Sequence, residues 1–219
     1  MTPIISAQNL GVQAGMKHPR SLLRDVSISI PAGQLTTIMG PNGAGKTTLL
    51  NLLNGDNRPD TGLVLFKQKA LADINRLALA KQRAVLPQLD HVPFAISVMQ
   101  IIEMGREPYR DTASRHDNAS VIRQIIEWME LEDMLERNYS SLSGGEQHRV
   151  QIARTLAQVC RDSDFNLQGQ VLFLDEPTNH LDIRHQYALM LLLKQLQAKG
   201  LTIIVAVSYT HLRAHETLR

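Results

Sequence analysis

Cysteine is almost absent, with Cys160 the only one among 219 residues. An internal disulfide and a cysteine-based zinc site are therefore excluded. The lone thiol reads as a small buried apolar side chain, and the composition suits a reducing cytosol. Long apolar runs are missing as well. Stretches such as Val171–Leu174 and Ile203–Val207 fall far short of the ~20 residues a membrane span requires. Met1 to Leu10 has no basic segment followed by an apolar core, so no signal peptide is read there. The chain is expected to be soluble by itself, and any membrane role would come through a partner. Blocks of like charge are also lacking. The net charge is +2, with lysine and arginine mixed among the acids, so charge lends no support to nucleic-acid binding. No internal repeat is found.

What is present is a globular composition, 43% hydrophobic and 20% charged, enough for a real core. Short β-branched runs alternate with helical stretches. Leu35–Met39 reads as a buried strand and Lys46–Leu53 as the helix after it. Arg83–Leu86 reads as a strand, and Val121–Met129 and Val150–Val159 as helices. Val171–Leu174 is a buried strand, Ile183–Gln197 a helix and Thr202–Val207 a strand. This alternation predicts an α/β fold with a mostly parallel sheet covered on both faces. Ser27–Ile30 alternates polar and apolar residues, which suits an antiparallel edge sheet. Residues 93–142 are mainly helical and predict a helical subdomain inserted into the α/β core. Arg161–Gln170 is polar and reads as a surface loop.

Gly40-Pro41-Asn42-Gly43-Ala44-Gly45-Lys46-Thr47 is a complete P-loop between a strand and a helix, with Thr48 following. Its glycines let backbone N–H groups wrap round phosphates, and the helix start adds a positive dipole end. Lys46 is the expected charge for the β- and γ-phosphates of ATP, and Thr47 the expected hydroxyl ligand of Mg2+. Val171-Leu172-Phe173-Leu174-Asp175-Glu176 is a buried strand ending in two acids, at the edge where α/β sheets bind ligands. Asp175 can hold Mg2+ through water, and Glu176 can polarise an attacking water. Acids at a strand end are otherwise often helix caps.

Leu142-Ser143-Gly144-Gly145-Glu146-Gln147 resembles the signature of the ATP-binding cassette (ABC) ATPases, and it lies upstream of Asp175 in that family's order. Ser143, Gly144 and Gly145 expose N–H groups at a helix start, a second anion-binding end. The resemblance implies that this end binds the γ-phosphate held by another subunit, with two nucleotides sandwiched in a head-to-tail dimer of the chain. It also implies that Gln88 is the glutamine that senses Mg2+, and that Asn179-His180-Leu181-Asp182 crosses the dimer interface. It covers the chain from about Ile5 to Val207, the expected domain being residues 1–207.

Two stretches depart from the family pattern. Residues 14–20 contain no aromatic residue to stack on adenine. His18 could stack, or could be a solvated loop residue. After Val207 the family has an apolar residue and then a histidine that contacts the γ-phosphate, but Tyr209 occupies that place and His211 comes late. Residues 208–219 resemble a translated sequencing adapter and are expected to be a non-native tail on a shortened C-terminus. His211 and His215 are therefore discounted as site residues. If the tail is genuine, His211 becomes the candidate switch residue.

Cargo rests on weaker resemblance. Arg83–Gln88, Pro93-Phe94, Met104–Tyr109, Ala153–Gln158 and the polar segment 161–170 are most similar to ATPases of the haem importers. Ferric-siderophore and cobalamin importers are the alternatives. The implied partners are a transmembrane permease dimer and, indirectly, a periplasmic binding protein. The implied location is the cytoplasmic face of the bacterial inner membrane. ABC ATPases acting on DNA or ribosomes form a different class. They carry coiled coils, second cassettes or zinc-binding cysteines, none of which is seen here.

Overall fold

The structure is a computed structural model that describes residues 2–14, 20–86 and 95–208. Two sheets organise it. The first is antiparallel, in the order β2-β1-β4-β5, from β1 (Pro3–Ala14), β2 (Arg20–Pro31), β4 (Thr61–Phe66) and β5 (Lys69–Ala70). The second is parallel, in the order β3-β8-β7-β6, from β3 (Leu35–Gly40), β6 (Arg83–Val85), β7 (Val171–Asp175) and β8 (Thr202–Ser208). Between them in sequence run α1 (Lys46–Asn54), α2 (Arg76–Ala80), α3 (Val98–Met104), α4 (Arg115–Trp128), α5 (Gly144–Val159) and α6 (Ile183–Ala198).

Alternation in Ser27–Ile30 did signal an antiparallel strand, and β2 extends well beyond it. The strands β1, β4 and β5 and the short α2 went unread. Their apolar residues alternate over stretches broken by bulges in the β1 pairings, which blurs the period of two. The expectation of a buried strand at Leu35–Met39 is corrected in part. β3 forms, but it pairs only with β8 among the described strands, and Leu35 and Met39 are exposed. An apolar run marks a strand without saying whether it sits at a sheet's centre or its edge. The segment 161–170 is a loop as expected, yet Phe165 and Leu167 are buried from it. Phe165 packs on Trp128 with ring centroids 4.9 Å apart.

The core lies on both faces of the parallel sheet. Val171, Phe173, Ile204 and Ala206 face α1 and the antiparallel sheet. Leu172, Leu174, Ile203 and Val205 face the helices that follow β6, together with α6. Alternate residues of β7 and β8 thus serve opposite layers, as a two-faced strand requires. Cys160 is fully buried among the helices, and burial pushes its thiol up to about 12.

Arg106 ties the helical layer together. Its guanidinium donates to Asn118 Oδ1 at 2.8 Å and to the carbonyls of Ala157 (2.7 Å), Cys160 (2.5 Å) and Arg161 (2.9 Å). Those carbonyls close the C-terminal end of α5, where the last turn leaves acceptors unpaired and a cation is favoured. Tyr109 lies under the guanidinium at 4.3 Å and donates to Lys81 O or Gln158 O. Arg106→Met is expected to lower stability by about 3 kcal/mol, because buried hydrogen bonds to a charged group are lost and carbonyls are stranded. A urea titration checks this: the midpoint falls while the slope is kept.

Candidate functional site

The parallel strands point their C-terminal ends at one cleft of about 640 Å³, lined in part by Asn42, Lys46, Thr47, Asp175, Glu176 and His148. β3 ends at Gly40, and the chain loops through residues 41–45 into α1. Gly43 and Gly45 hold φ of 79° and 88°, a left-handed shape that glycine adopts without cost. A Cβ on Gly45 would lie 3.1 Å from Leu23 Cδ2 and 3.2 Å from Leu22 O. The antiparallel sheet therefore braces the loop. No side chain caps the N-terminus of α1, so its first-turn N–H groups remain available to an anion.

Lys46 is buried, and its Nζ donates to Gly40 O at 3.1 Å and Pro41 O at 3.0 Å. The ammonium thus lies across its own loop. Thr47 Oγ1 donates to Asp175 Oδ2 at 2.6 Å. The other oxygen, Asp175 Oδ1, is buried with no hydrogen-bond partner among the described residues. An orphaned carboxylate oxygen beside a hydroxyl is a hard-oxygen pair that fits a divalent cation. Thr48 lines the same cleft.

Glu176 follows directly, with φ of 50° and its N–H donating to Ala206 O at 2.9 Å. Its Oε1 meets Ser208 Oγ, which also lies 2.7 Å from Asn42 Oδ1. The turn from Glu176 continues to Asp182, which caps α6 by accepting from His185 N at 2.9 Å.

Ser143 caps α5. Its N–H and Oγ both donate to Glu146 Oε2, at 2.8 Å and 2.7 Å, and Glu146 N returns a long bond to Ser143 Oγ. Bonds from Ser143 hold the Glu146 carboxyl below its ordinary range. A Cβ on Gly144 would meet nothing within 4 Å, so the helix start is open. Ser143, Gly144 and Gly145 do not line this chain's own cleft. Sequence-named residues thus fall into two groups. Residues 40–48, Asp175 and Glu176 come together, while 143–145 do not line the cleft.

Gln88 lies outside the described residues, as do His18 and residues 209–219. Ser208, the first residue of the expected tail, is described and ends β8 beside Glu176. His148, Asn179 and His180 also line the cleft. No role was read for His148, although its place one turn after Gly145 on α5 was a usable signal. It is 5% exposed, its Nε2 lies 2.8 Å from Pro177 O, and burial pulls its imidazole below the ordinary histidine range.

A phosphate-binding loop, an acid pair at a parallel strand end and a serine-glycine helix start define a nucleotide-binding cassette. The ABC transporter family profile matches residues 23–179, and the chain belongs to that family as an ABC-type ATPase. Among curated proteins it is 43% identical to the hemin import ATP-binding protein HmuV of Escherichia coli O157:H7, over 88% of this chain and 72% of that one. It is 38% identical to the protein of the same name from Hahella chejuensis, over 91% of this chain and 76% of that one. Among solved structures it resembles a dimeric ATP-binding cassette in a post-hydrolysis state bound to ADP and phosphate. The TM-score is 0.78 at 26% identity, over 93% of this chain and 87% of that one. An ATP-bound exporter of the Atm1 family gives 0.75 at 27% identity, over 94% of this chain and 35% of that one. No helix among the described residues is long and apolar enough to cross a membrane.

Proposed function

We propose that this chain is the ATP-hydrolysing subunit of a haem importer, working as a head-to-tail dimer under a transmembrane permease. The observation that carries the hydrolytic part is the convergence of Lys46, Thr47, Asp175 and Glu176 on one cleft. The haem cargo rests on the likeness to hemin import ATP-binding proteins. The dimer is supported by the open helix start at Ser143–Gly144, which does not line its own cleft, and by the dimeric cassettes the chain resembles. A periplasmic binding protein would deliver cargo to the permease, and this subunit would sit on the cytoplasmic face of the inner membrane.

In this reading the loop 40–45 and the start of α1 wrap the phosphates of ATP. Lys46 turns from Gly40 O and Pro41 O to the β- and γ-phosphate oxygens. Thr47 and Asp175, with Gln88, would hold Mg2+, which when bound neutralises charge on the transferred phosphoryl group. Glu176 orients the attacking water and accepts its proton. The partner's Ser143, Gly144 and Gly145 add N–H groups where charge develops.

Cargo is tested in vesicles holding this chain and the permease that co-purifies with it from membranes. ATP-dependent uptake of haem, without uptake of ferric siderophore or cobalamin, is the expected result. Uptake of a siderophore or cobalamin instead of haem overturns the cargo assignment.

In this reading the permease docks on residues 90–109, of which 90–94 lie outside the described residues, and on the groove beside them. Leu77 and Met104 are 54% and 49% exposed there, lining a groove of about 550 Å³ with Lys81, Glu107, Pro108 and Gln158. Two exposed apolar side chains sharing one groove support this reading of the face. The double change Leu77→Glu and Met104→Glu is expected to leave the ATPase of the isolated chain within about twofold, since both lie away from the cleft. Transport and co-purification with the permease are expected to be lost. If both survive, docking lies elsewhere.

A further inference from the structure

The turn after β7 holds a backbone shape that residues with a Cβ seldom adopt. Glu176 has φ of 50° and His180 φ of 65°. Such residues persist only where their surroundings hold them. Several contacts do so. Glu176 N donates to Ala206 O, and Asn179 N donates to Glu176 O at 3.1 Å. From α6, Gln186 Nε2 reaches Thr178 O at 3.2 Å and Leu181 O at 3.0 Å. The carbonyl of Pro177, directly after Glu176, is met from the other side by His148 Nε2 at 2.8 Å.

His148 is on α5, buried, with its ring edge-on to His180 at 6.2 Å between centroids. A carbonyl only accepts, so Nε2 carries the proton. Nδ1 is buried and has no partner among the described residues, which suits a neutral ring. One turn earlier on the same helix face, a Cβ on Gly145 would lie 2.7 Å from His180 O. The helix α5 therefore touches the turn at two points, Gly145 against His180 and His148 against Pro177.

We propose that His148 is a positioning residue for hydrolysis: its Nε2–H fixes the Pro177 carbonyl, and through it the carboxylate of Glu176, against the helix that Ser143 caps. This rests on the reading of Glu176 as the group that orients water. The carboxylate must sit where the attacking water lies in line, and a displacement of about 1 Å can cost a hundredfold in rate. The ring lines the cleft, but its one donor is taken by the Pro177 carbonyl. It acts through the turn, so it is expected to govern turnover and leave nucleotide affinity alone.

Two variants of the full chain separate a hydrogen-bonding role from a packing role. His148→Gln keeps a donor, and His148→Met keeps volume without one. Turnover of His148→Gln is expected within about threefold of the parent, and that of His148→Met is expected to fall about tenfold or more, with ATP affinity within about twofold in both. Glu176→Gln is assayed alongside. Near-normal turnover there removes the reading of Glu176, whatever His148 does. With Glu176→Gln inactive, full turnover of His148→Met, or equal impairment of the glutamine variant, overturns the proposal. If the methionine variant does not fold, His148→Asn replaces it. It is polar but too short to reach Pro177, and it is expected to lose turnover, while full turnover overturns the assignment. Unfolding of both, with the glutamine variant folded, makes His148 a structural contact and overturns it too.

Discussion

Glu176→Gln is expected to keep ATP bound while turnover falls at least about a hundredfold, the usual contribution of a positioned general base. The amide keeps the shape of the carboxylate and its contact with Ser208 Oγ. It cannot accept the proton of an attacking water. Its neutrality also removes repulsion between the carboxylate and the γ-phosphate. ATP should therefore remain trapped between two copies, and the variant is expected to elute as a dimer with ATP and as a monomer with ADP. Phosphate release and size-exclusion chromatography with each nucleotide measure the two effects. Near-normal turnover would remove Glu176 from the role, and a monomer in every nucleotide would argue against the sandwich.

Lys46→Ala is expected to be as severe by a different route. The ammonium is buried at the mouth of the loop and bonded to two of its carbonyls. Losing it removes a charge-assisted contact to the phosphates and leaves Gly40 O and Pro41 O without their donor. Because that contact acts on both bound ATP and the transition state, affinity and turnover are both expected to fall, with kcat/KM lower by about a thousandfold. A fluorescent-nucleotide titration combined with steady-state phosphate release separates the components. Unchanged affinity and turnover would count against the loop as the phosphate site. The contrast between the two variants is itself diagnostic: Glu176→Gln spares binding, whereas Lys46→Ala does not.

Local motifs were legible because each is a self-contained piece of stereochemistry. The glycines of the P-loop, the acids closing β7 and the capping serine of α5 announce their backbone shapes within a few residues. They name a nucleotide site and a family without any long-range contact. Continuous apolar runs likewise located β7 and β8, which are buried on both faces, and helical apolar spacing located α5 and α6. Gln88 is a different case, its role carried by resemblance alone.

The amino-acid sequence by itself marked residues 40–48, Asp175 and Glu176 as the candidate nucleotide site, and its motifs are those of the ABC ATPases to which the chain belongs. Tertiary structure decided how those pieces meet. It set β3 at the edge of the parallel sheet among the described strands, braced the loop on Leu22 and Leu23 of the antiparallel sheet, and left Asp175 with one oxygen bonded and one without a partner among the described residues. It kept Ser143 out of the lining of its own cleft and brought His148 onto Pro177. Those contacts join residues far apart in the chain, and a one-dimensional pattern records what a residue can do but not which distant partner packing will bring to it.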